Sequence, residues 1–199
     1  MVIHSATSPA SDTVAGIRLV LTDCDGVLTD GGVYYSARGE ELKRFSMRDG
    51  MGIERLRMLA QIPVGILTKE SSAIVAARAR KLGITQLHAG VTDKLSAARD
   101  VAERSGLSLS QVAYIGDDVN DLELLAAAGF SACPSDAEPV VRRTVHAVCA
   151  RAGGHGAFRE FAEVIIEAHR AHAACPPDRP APRSPRSTHA LLATPTEDH

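Results

Sequence analysis

The chain has 199 residues, of which 45% are hydrophobic and 23% charged, enough apolar material for the core of one ordinary domain and too much for global disorder. Its formal net charge is −2, so neither nucleic acid nor an anionic membrane surface is expected as a partner. No apolar run reaches the length of a membrane span and no secretion signal is visible. We therefore expect a cytoplasmic protein, and its four cysteines, which form no CxxC pair, are expected to be free thiols.

Both ends of the chain differ in composition from its middle. Residues 1–15 are polar and predict a disordered N-terminal segment. Residues 174–199 hold six of the ten prolines and predict a disordered tail rather than a second domain. One folded domain is therefore expected over residues 16–173.

Short β-prone runs alternate with helical patterns along this domain. The clearest strands are IRLVLT (17–22), PVGILT (63–68) and VAYIG (112–116), and weaker ones are expected near 85–88, 130–132 and 145–148. Helices are expected around 50–60, 71–82, 94–105, 120–128 and 156–170. The alternation predicts an α/β fold with a Rossmann-like parallel sheet and helices on both faces. Ligands of such a sheet bind at the carboxyl ends of its strands.

One segment, GGVYYSARGEELKRF (31–45), interrupts the alternation directly after the first strand. Its pattern predicts a β-hairpin that turns near residues 37–39. Tyr34, Tyr35 and Phe45 are three of the seven aromatic residues of the chain. Because a two-stranded hairpin is marginally stable alone, we expect this one to pack on something else, and another subunit is one candidate.

Two acidic motifs follow predicted buried strands. LTDCDGVLTDGG (21–32) carries Asp23 and Asp25, and YIGDDVNDLELL (114–125) adds Asp117, Asp118 and Asp121. Either motif alone reads as an acidic turn, and Asp121 alone as a helix cap. Five carboxylates at one sheet edge would repel one another unless a cation lay between them, and oxygen ligands of this kind suit Mg²⁺.

Two further strand ends offer groups that bind phosphate. Thr68 ends the ILT run and supplies a hydroxyl donor, and Lys94 stands at the start of a predicted helix. A lone lysine there is usually a surface charge. Beside a phosphate it would neutralise the charge that builds up during phosphoryl transfer.

In this order the motifs DCDG, Thr68, Lys94 and GDDVND resemble those of the haloacid dehalogenase superfamily, over residues 17–165. The resemblance implies a phosphatase in which Asp23 is the nucleophile that forms an aspartyl-phosphate, and Asp25 is first the general acid and then the general base. It implies that Thr68 and Lys94 hold the phosphoryl group. It also implies an Mg²⁺ ion held by the Asp23 carboxylate, the Asp25 backbone carbonyl and Asp117, with Asp118 or Asp121 supporting.

Only about 45 residues separate Asp23 from Thr68, and the hairpin and a helix already occupy them, so no cap domain is expected. DGVLTDGGVYY, RDGMGI and RAGGHGAFRE resemble the capless branch that contains the Kdo 8-phosphate phosphatases. In that family the hairpins assemble a tetramer and C-terminal residues help close a neighbour's site. The resemblance therefore implies a homotetramer, with Arg48 and Arg151 as candidate substrate-binding residues. The alternative for the loop around Arg151 is a flexible turn before the last helix.

The substrate expectation depends on a departure from that branch. Its octulosonate enzymes typically read Thr-Gly-Arg where this chain reads Thr68-Lys69-Glu70. Nonulosonate 9-phosphate phosphatases, which act on sialic-acid-like sugars, usually have glutamate at the position of Glu70 and basic residues matching Arg78 and Lys81. The alternative for the basic pair is a solvated helix face, and Lys69, where both groups usually have glycine, leaves the assignment open.

We thus expect a keto-deoxy sugar acid phosphate as substrate, with a nonulosonate 9-phosphate first and Kdo 8-phosphate second. A third hypothesis is a non-catalytic assembly domain, like those fused to sialic-acid cytidylyltransferases.

Overall fold

A computed structural model of the protein describes residues 2–3 and 11–174. Its strands are β1 (Val2–Ile3), β2 (Leu19–Thr22), β3 (Thr29–Ser36), β4 (Gly39–Phe45), β5 (Val64–Leu67), β6 (Gln86–His88), β7 (Val112–Ile115), β8 (Phe130–Cys133) and β9 (Ala147–Val148). Its α-helices are α1 (Ser11–Ala15), α2 (Met47–Arg55), α3 (Ala73–Leu82), α4 (Lys94–Arg104), α5 (Leu122–Ala127), α6 (Pro139–Thr144) and α7 (Ala157–Ala174). A π-helical turn, Leu56–Ala60, continues α2, and 3₁₀ turns cover Leu109–Gln111 and Val119–Asp121.

Seven strands form one sheet in the order β1-β9-β8-β7-β2-β5-β6. All neighbours pair in parallel except β1, which runs antiparallel to β9. Every residue of β2, β5, β7 and β8 is buried, as the continuous apolar runs predict for strands covered on both faces. Because β2 lies between β5 and β7, the residues that follow these three strands meet at one edge of the sheet.

Helices cover both faces, which confirms the predicted fold class. Val20 of β2 belongs to a core cluster that includes Phe158 and Phe161 of α7. Its neighbours Leu19 and Leu21 point to the other face, into a cluster with residues of α4, α5 and α6. This alternation follows from the period of two in a strand, since successive side chains leave opposite faces of the sheet.

The helices next to the strand ends begin at capping side chains. Ser72 accepts a hydrogen bond from the Val75 N–H at the start of α3, and Asp93 accepts one from the Ser96 N–H (2.9 Å) at the start of α4. Helix α3 ends at Gly83 in the left-handed conformation, where glycine carries no side-chain penalty. The capped start of α4 fixes the position of its first residue, Lys94.

The hairpin consists of β3 and β4, which pair antiparallel from Thr29 with Phe45 to Ser36 with Gly39. It forms a sheet of its own and begins two residues earlier than predicted. Between β2 and β5 the described chain holds only this hairpin, α2 and its π-helical turn, so no cap domain is present there.

The termini differ in part from the prediction. Within residues 1–15 the structure has the short strand β1 and the helix α1, and Val14 and Ala15 of α1 are buried. These elements are too short to produce a detectable period in the sequence, and long-range contacts stabilise them instead. Residues 175–199 of the predicted tail lie outside the described residues, and Ala174 belongs to α7. None of the described helices combines the length and hydropathy needed to span a bilayer.

Candidate active site

The carboxyl ends of β2, β5 and β7 bring together the residues predicted for phosphoryl transfer. Asp23 follows β2 and donates its backbone N–H to the Ile115 carbonyl at the end of β7 (3.0 Å). Thr68 follows β5, and Asp117 lies two residues beyond β7. The parallel pairing of the three strands therefore places these side chains at one edge of the sheet, as predicted.

Three carboxylates converge at this edge. Asp23, Asp117 and Asp121 each offer an oxygen, and these oxygens all lie within 4.8 Å of one another. The approach depends on Gly26, which has a φ of +85° and whose missing Cβ would stand 2.0 Å from Oδ2 of Asp117. Any side chain at Gly26 would therefore displace the Asp117 carboxylate.

Burial makes this carboxylate cluster electrostatically unfavourable. Burial raises the pKa of Asp23 to about 7, although the charge of Lys94 opposes the shift. Burial, followed by repulsion from Asp23 and Asp121, raises the pKa of Asp117 to about 8. Oδ1 of Asp117 is also buried without a hydrogen-bond partner. A divalent cation between Asp23 and Asp117 would neutralise the repulsion and occupy that oxygen, so the donor set fits Mg²⁺.

Lys94 and Asp121 form a buried ion pair beside the nucleophile candidate. The Lys94 ammonium lies 2.6 Å from Oδ1 of Asp121 and 3.0 Å from Oδ2 of Asp23. Asp121 also accepts the Tyr114 hydroxyl (2.6 Å) and the N–H groups of Asp117 (3.0 Å) and Asp118 (3.2 Å). With four donors already bound, Asp121 serves to position Lys94 and the Asp117 loop.

Tyr114 is a site residue that the sequence analysis missed. It lies in β7, is fully buried, and donates to Asp121. The available signal was a hydroxyl in an otherwise apolar strand, because a buried tyrosine O–H almost always has a partner.

Thr68 is buried at the end of β5, where its hydroxyl oxygen accepts the Glu70 N–H (3.2 Å). In this hydrogen bond the hydroxyl is the acceptor, so its own proton can be donated to another group. Asp118, in contrast, is exposed and accepts the N–H of Val119 (2.6 Å) as a helix cap. Its carboxylate stands outside the cluster of three.

The side chain of Asp25 is held apart from the other carboxylates. Lys43 of β4 donates to both of its oxygens, at 2.7 and 2.8 Å, and the Thr29 hydroxyl lies 3.4 Å from Oδ1. Lys43 was not predicted as a site residue, because the position of a hairpin relative to the main sheet cannot be read from the periodicity of the hairpin. The alternation of the strand supplied a weak signal, since it places Lys43 opposite in direction to Leu42 and Arg44.

The glycine loop (residues 151–156) packs on the loop that follows Asp23. A Cβ on Gly153 would stand 1.8 Å from the carbonyl oxygen of Gly26, and Gly154 donates its N–H to Val27 (2.9 Å). Asp49 fixes the far end by accepting the N–H groups of Gly156 (3.1 Å) and Arg159 (3.0 Å). The glycines thus permit close packing within the chain.

Glu70, Arg78 and Lys81, the residues expected to set substrate specificity, lie outside the carboxylate cluster. Glu70 is exposed two residues beyond Thr68, to whose hydroxyl it donates its backbone N–H. Arg78 donates to the Ser46 carbonyl (3.1 Å) and stacks over Phe45 (5.5 Å to the ring centroid), so its guanidinium has partners within the chain. Lys81 is exposed near the end of α3.

Arg48 and Arg151 come together, but away from the carboxylates. Both line an open cavity of about 660 Å³ that is also bordered by Arg159, Glu163 and Glu167. The acidic side of this cavity comes from α7. Arg48 and Arg151 therefore share a surface that is separate from the Asp23 cluster.

The sequence and the fold have close counterparts among known proteins. Residues 64–160 match the family described as haloacid dehalogenase-like hydrolase. The 3-deoxy-D-manno-octulosonate 8-phosphate phosphatase of Haemophilus influenzae is 43% identical to this chain over 152 residues. The matched region covers 76% of this chain and 84% of that protein.

Solved structures agree with this match. The structure of the 3-deoxy-D-manno-octulosonate 8-phosphate phosphatase of Yersinia pestis has 40% identity and a TM-score of 0.77, over 80% of this chain and 86% of that one. The enzyme of the same name from Moraxella catarrhalis, solved with magnesium ion, phosphate ion and KDO, has 36% identity and a TM-score of 0.78, over 82% of this chain and 94% of that one. The chain therefore belongs to the haloacid dehalogenase-like hydrolases, in the capless branch that includes these phosphatases.

Proposed function

We propose that the protein is a magnesium-dependent phosphatase that hydrolyses the phosphate monoester of a keto-deoxy sugar acid through an aspartyl-phosphate on Asp23. The observation that carries the proposal is the placement of Asp23, with Lys94 at 3.0 Å and the unpartnered Asp117 oxygen beside it. One pocket then holds a nucleophile (Asp23), a cation for the phosphoryl oxygens (Lys94) and a carboxylate that can bind a metal cation (Asp117). The names of the relatives supply the substrate class.

The first half of the reaction transfers the phosphoryl group to the protein. An Asp23 oxygen attacks phosphorus while Asp25, protonated, gives its proton to the leaving alcohol oxygen. Lys94 and Thr68 bind the phosphoryl oxygens and neutralise their charge. Mg²⁺ held by Asp23 and Asp117 would add positive charge at the same oxygens.

The second half restores the protein. The Asp25 carboxylate takes a proton from water, the water oxygen bonds to phosphorus, and the bond from phosphorus to Asp23 breaks. Inorganic phosphate leaves, Asp23 is again a carboxylate, and Asp25 carries the proton needed for the next leaving alcohol.

Two substrates of this class are supported by different observations. Kdo 8-phosphate is favoured by the names of relatives about 40% identical over most of the chain. A nonulosonate 9-phosphate is favoured by Glu70, which lies two residues beyond Thr68, at a position where the octulosonate enzymes typically have arginine. We place the eight-carbon ester first, because Arg78, the basic partner expected for the nine-carbon sugar, is bound to Ser46 and Phe45 within this chain.

A comparison of the two esters decides between these substrates. We expect phosphate release from Kdo 8-phosphate with a higher kcat/KM than from a nonulosonate 9-phosphate, and loss of both activities in excess chelator. The reverse preference would reinstate the nine-carbon substrate. If the protein releases phosphate from neither ester at any magnesium concentration, the proposal fails and the non-catalytic assembly domain becomes the better hypothesis.

The proposal includes a homotetramer assembled through the hairpin. Tyr34, Tyr35 and Leu42 are 67%, 71% and 63% exposed, an unusual concentration of large apolar side chains on one short element. Sedimentation equilibrium should show four copies, and replacing Tyr34 and Tyr35 by serine should lower the mass. A cytoplasmic location is also proposed, since Cys24, Cys133 and Cys149 are free and buried, as in a reducing compartment.

A further inference from the structure

Lys43 is a buried cation that the proposed reaction has not yet used. Its side chain is 2% exposed, although it lies on the hairpin and not in the core of the sheet. It donates to Oδ1 and Oδ2 of Asp25 at 2.7 and 2.8 Å and lies 3.3 Å from Glu40. A lysine with its ammonium removed from water needs such partners, and the two carboxylates supply them.

This contact fixes the direction of the Asp25 carboxylate. One ammonium that donates to both oxygens allows little rotation of the carboxylate group, and the Thr29 hydroxyl also lies 3.4 Å from Oδ1. A carboxyl group that transfers a proton must be held within hydrogen-bond reach of the reacting oxygen, so this restriction bears on catalysis.

Lys43 also contacts a second carboxylate, that of Glu40. Glu40, three residues before Lys43 on the same strand, contacts the ammonium and also accepts a hydrogen bond from the hydroxyl of Ser72 (3.0 Å), the capping residue of α3. The chain of contacts from Ser72 through Glu40 and Lys43 to Asp25 ties the hairpin to the body of the domain. These contacts therefore connect the hairpin to Asp25 through Lys43.

We propose that Lys43 is a positioning residue that orients Asp25 for proton transfer to the leaving group and stabilises the carboxylate that this transfer produces. The inference rests on the proposed function. The bond from phosphorus to the leaving oxygen breaks as Asp23 attacks, the leaving oxygen receives the proton of Asp25, and Asp25 becomes the carboxylate that Lys43 binds. Glu40 keeps the ammonium in place.

The leaving group provides a readout that a merely structural role would not give. The p-nitrophenolate ion leaves without a proton, whereas phenolate and a sugar alkoxide depend increasingly on one. In Lys43→Met we expect kcat/KM, which reports the first half of the reaction, to fall on the order of 100-fold for phenyl phosphate and Kdo 8-phosphate. The kcat/KM for p-nitrophenyl phosphate should change little.

Three further variants complete the experiment. Lys43→Arg keeps a cationic donor and should restore most of the lost activity, and Glu40→Gln should show the same selectivity to a smaller extent. Arg38→Met removes an exposed cation from the tip of the same hairpin and should leave all three substrates unchanged. If Lys43→Met is insoluble, Lys43→Arg and Glu40→Gln carry the test.

Two outcomes overturn the inference. One is an equal loss for all three substrates in Lys43→Met and Glu40→Gln, which would make Lys43 a structural residue. The other is no loss at all. Both are distinct from failure of the proposed function, in which the parent protein itself releases no phosphate from Kdo 8-phosphate or from a nonulosonate 9-phosphate.

Discussion

The strand ends and the hairpin both supply a lysine to the same centre, yet the two lysines have different surroundings. Lys94 pairs with Asp121 and Asp23, whose side chains are 0% and 9% exposed. Lys43 pairs with Asp25 and Glu40, which keep 24% and 21% exposure. The sheet therefore holds its charges where water cannot replace a lost partner, and the hairpin holds its charges where water can. Asp23, the proposed nucleophile, is held by the core, whereas Asp25, the group proposed for proton transfer, depends on a surface element.

Loss of the nucleophile should have the largest effect on activity. In Asp23→Asn the amide cannot attack phosphorus, so kcat should fall on the order of 10⁴-fold or more. The measurement is phosphate release with magnesium present, alongside acid-quench detection of the aspartyl-phosphate. Asp100→Asn, an exposed substitution on α4, is the matched control. Parent-like turnover in Asp23→Asn would contradict the strand-end site.

The two lysines can be compared directly through stability. Lys94→Met leaves Asp121 and Asp23 buried without a cation and should lower the free energy of unfolding by about 3–5 kcal/mol. Lys43→Met should lower it by less, because water can reach Asp25 and Glu40. Urea denaturation of the two variants without magnesium makes the comparison. Equal losses would show that the two environments do not differ as described.

The strand-end carboxylates should make the metal-free protein sensitive to pH. The pKa values of Asp23 and Asp117, about 7 and about 8, lie above the ordinary value of 3.8, so the folded state binds protons that the unfolded state has released. This contribution to stability is complete below pH 4 and is lost as the pH rises through 7 and 8. In chelator, the melting temperature should therefore fall as the pH rises from about 4 to about 8, the interval between the unfolded and folded pKa values, and should level off above it.

Magnesium should remove most of that decline, because the cation binds the carboxylate forms. Asp117→Asn should show a shallower decline in chelator and a smaller gain from magnesium. A melting temperature that rises with pH in chelator would show that these carboxylates do not carry the repulsion.

The smallest of these effects is expected at Asp49, away from both lysines. The side chain accepts two backbone N–H groups at the end of the glycine loop, and Asp49→Asn replaces one acceptor oxygen by a donor. Stability should fall by about 1–2 kcal/mol, measured by thermal unfolding. The ratio of kcat/KM for phenyl and p-nitrophenyl phosphate should stay constant, unlike in Lys43→Met. A changed ratio would mean that the loop, too, sets the position of Asp25.

The sequence predicted the strand ends well, for a topological reason. In a parallel sheet, residues that follow neighbouring strands must meet, so the buried runs before Asp23, Thr68 and Asp117 were enough to bring them together. The hydrogen-bond partners of the individual carboxylates were not predictable in this way. The Asp121 carboxylate accepts four hydrogen bonds, and the Asp118 carboxylate caps a 3₁₀ turn. Both arrangements depend on the direction of the side chains at that turn.

The hairpin was predicted as an element but not as a part of the site. Its pattern shows where the strands are, but the route by which Lys43 reaches Asp25 depends on how the whole hairpin lies over the sheet. Tyr114 was missed for a similar reason, since its hydroxyl finds a partner only after α5 and the strand ends have come together. Contacts between elements of different kinds are the part that local periodicity leaves undetermined.

The alternation of side chains along β4 places its outer surface next to the candidate active site. Leu42 is exposed and the next residue, Lys43, contacts Asp25, so a substitution on the outer surface of the strand lies one residue from a contact of the group proposed for proton transfer. If copies of the chain associate through that surface, specific activity will depend on dilution, and a drug that splits the assembly would act as an inhibitor without entering the catalytic pocket.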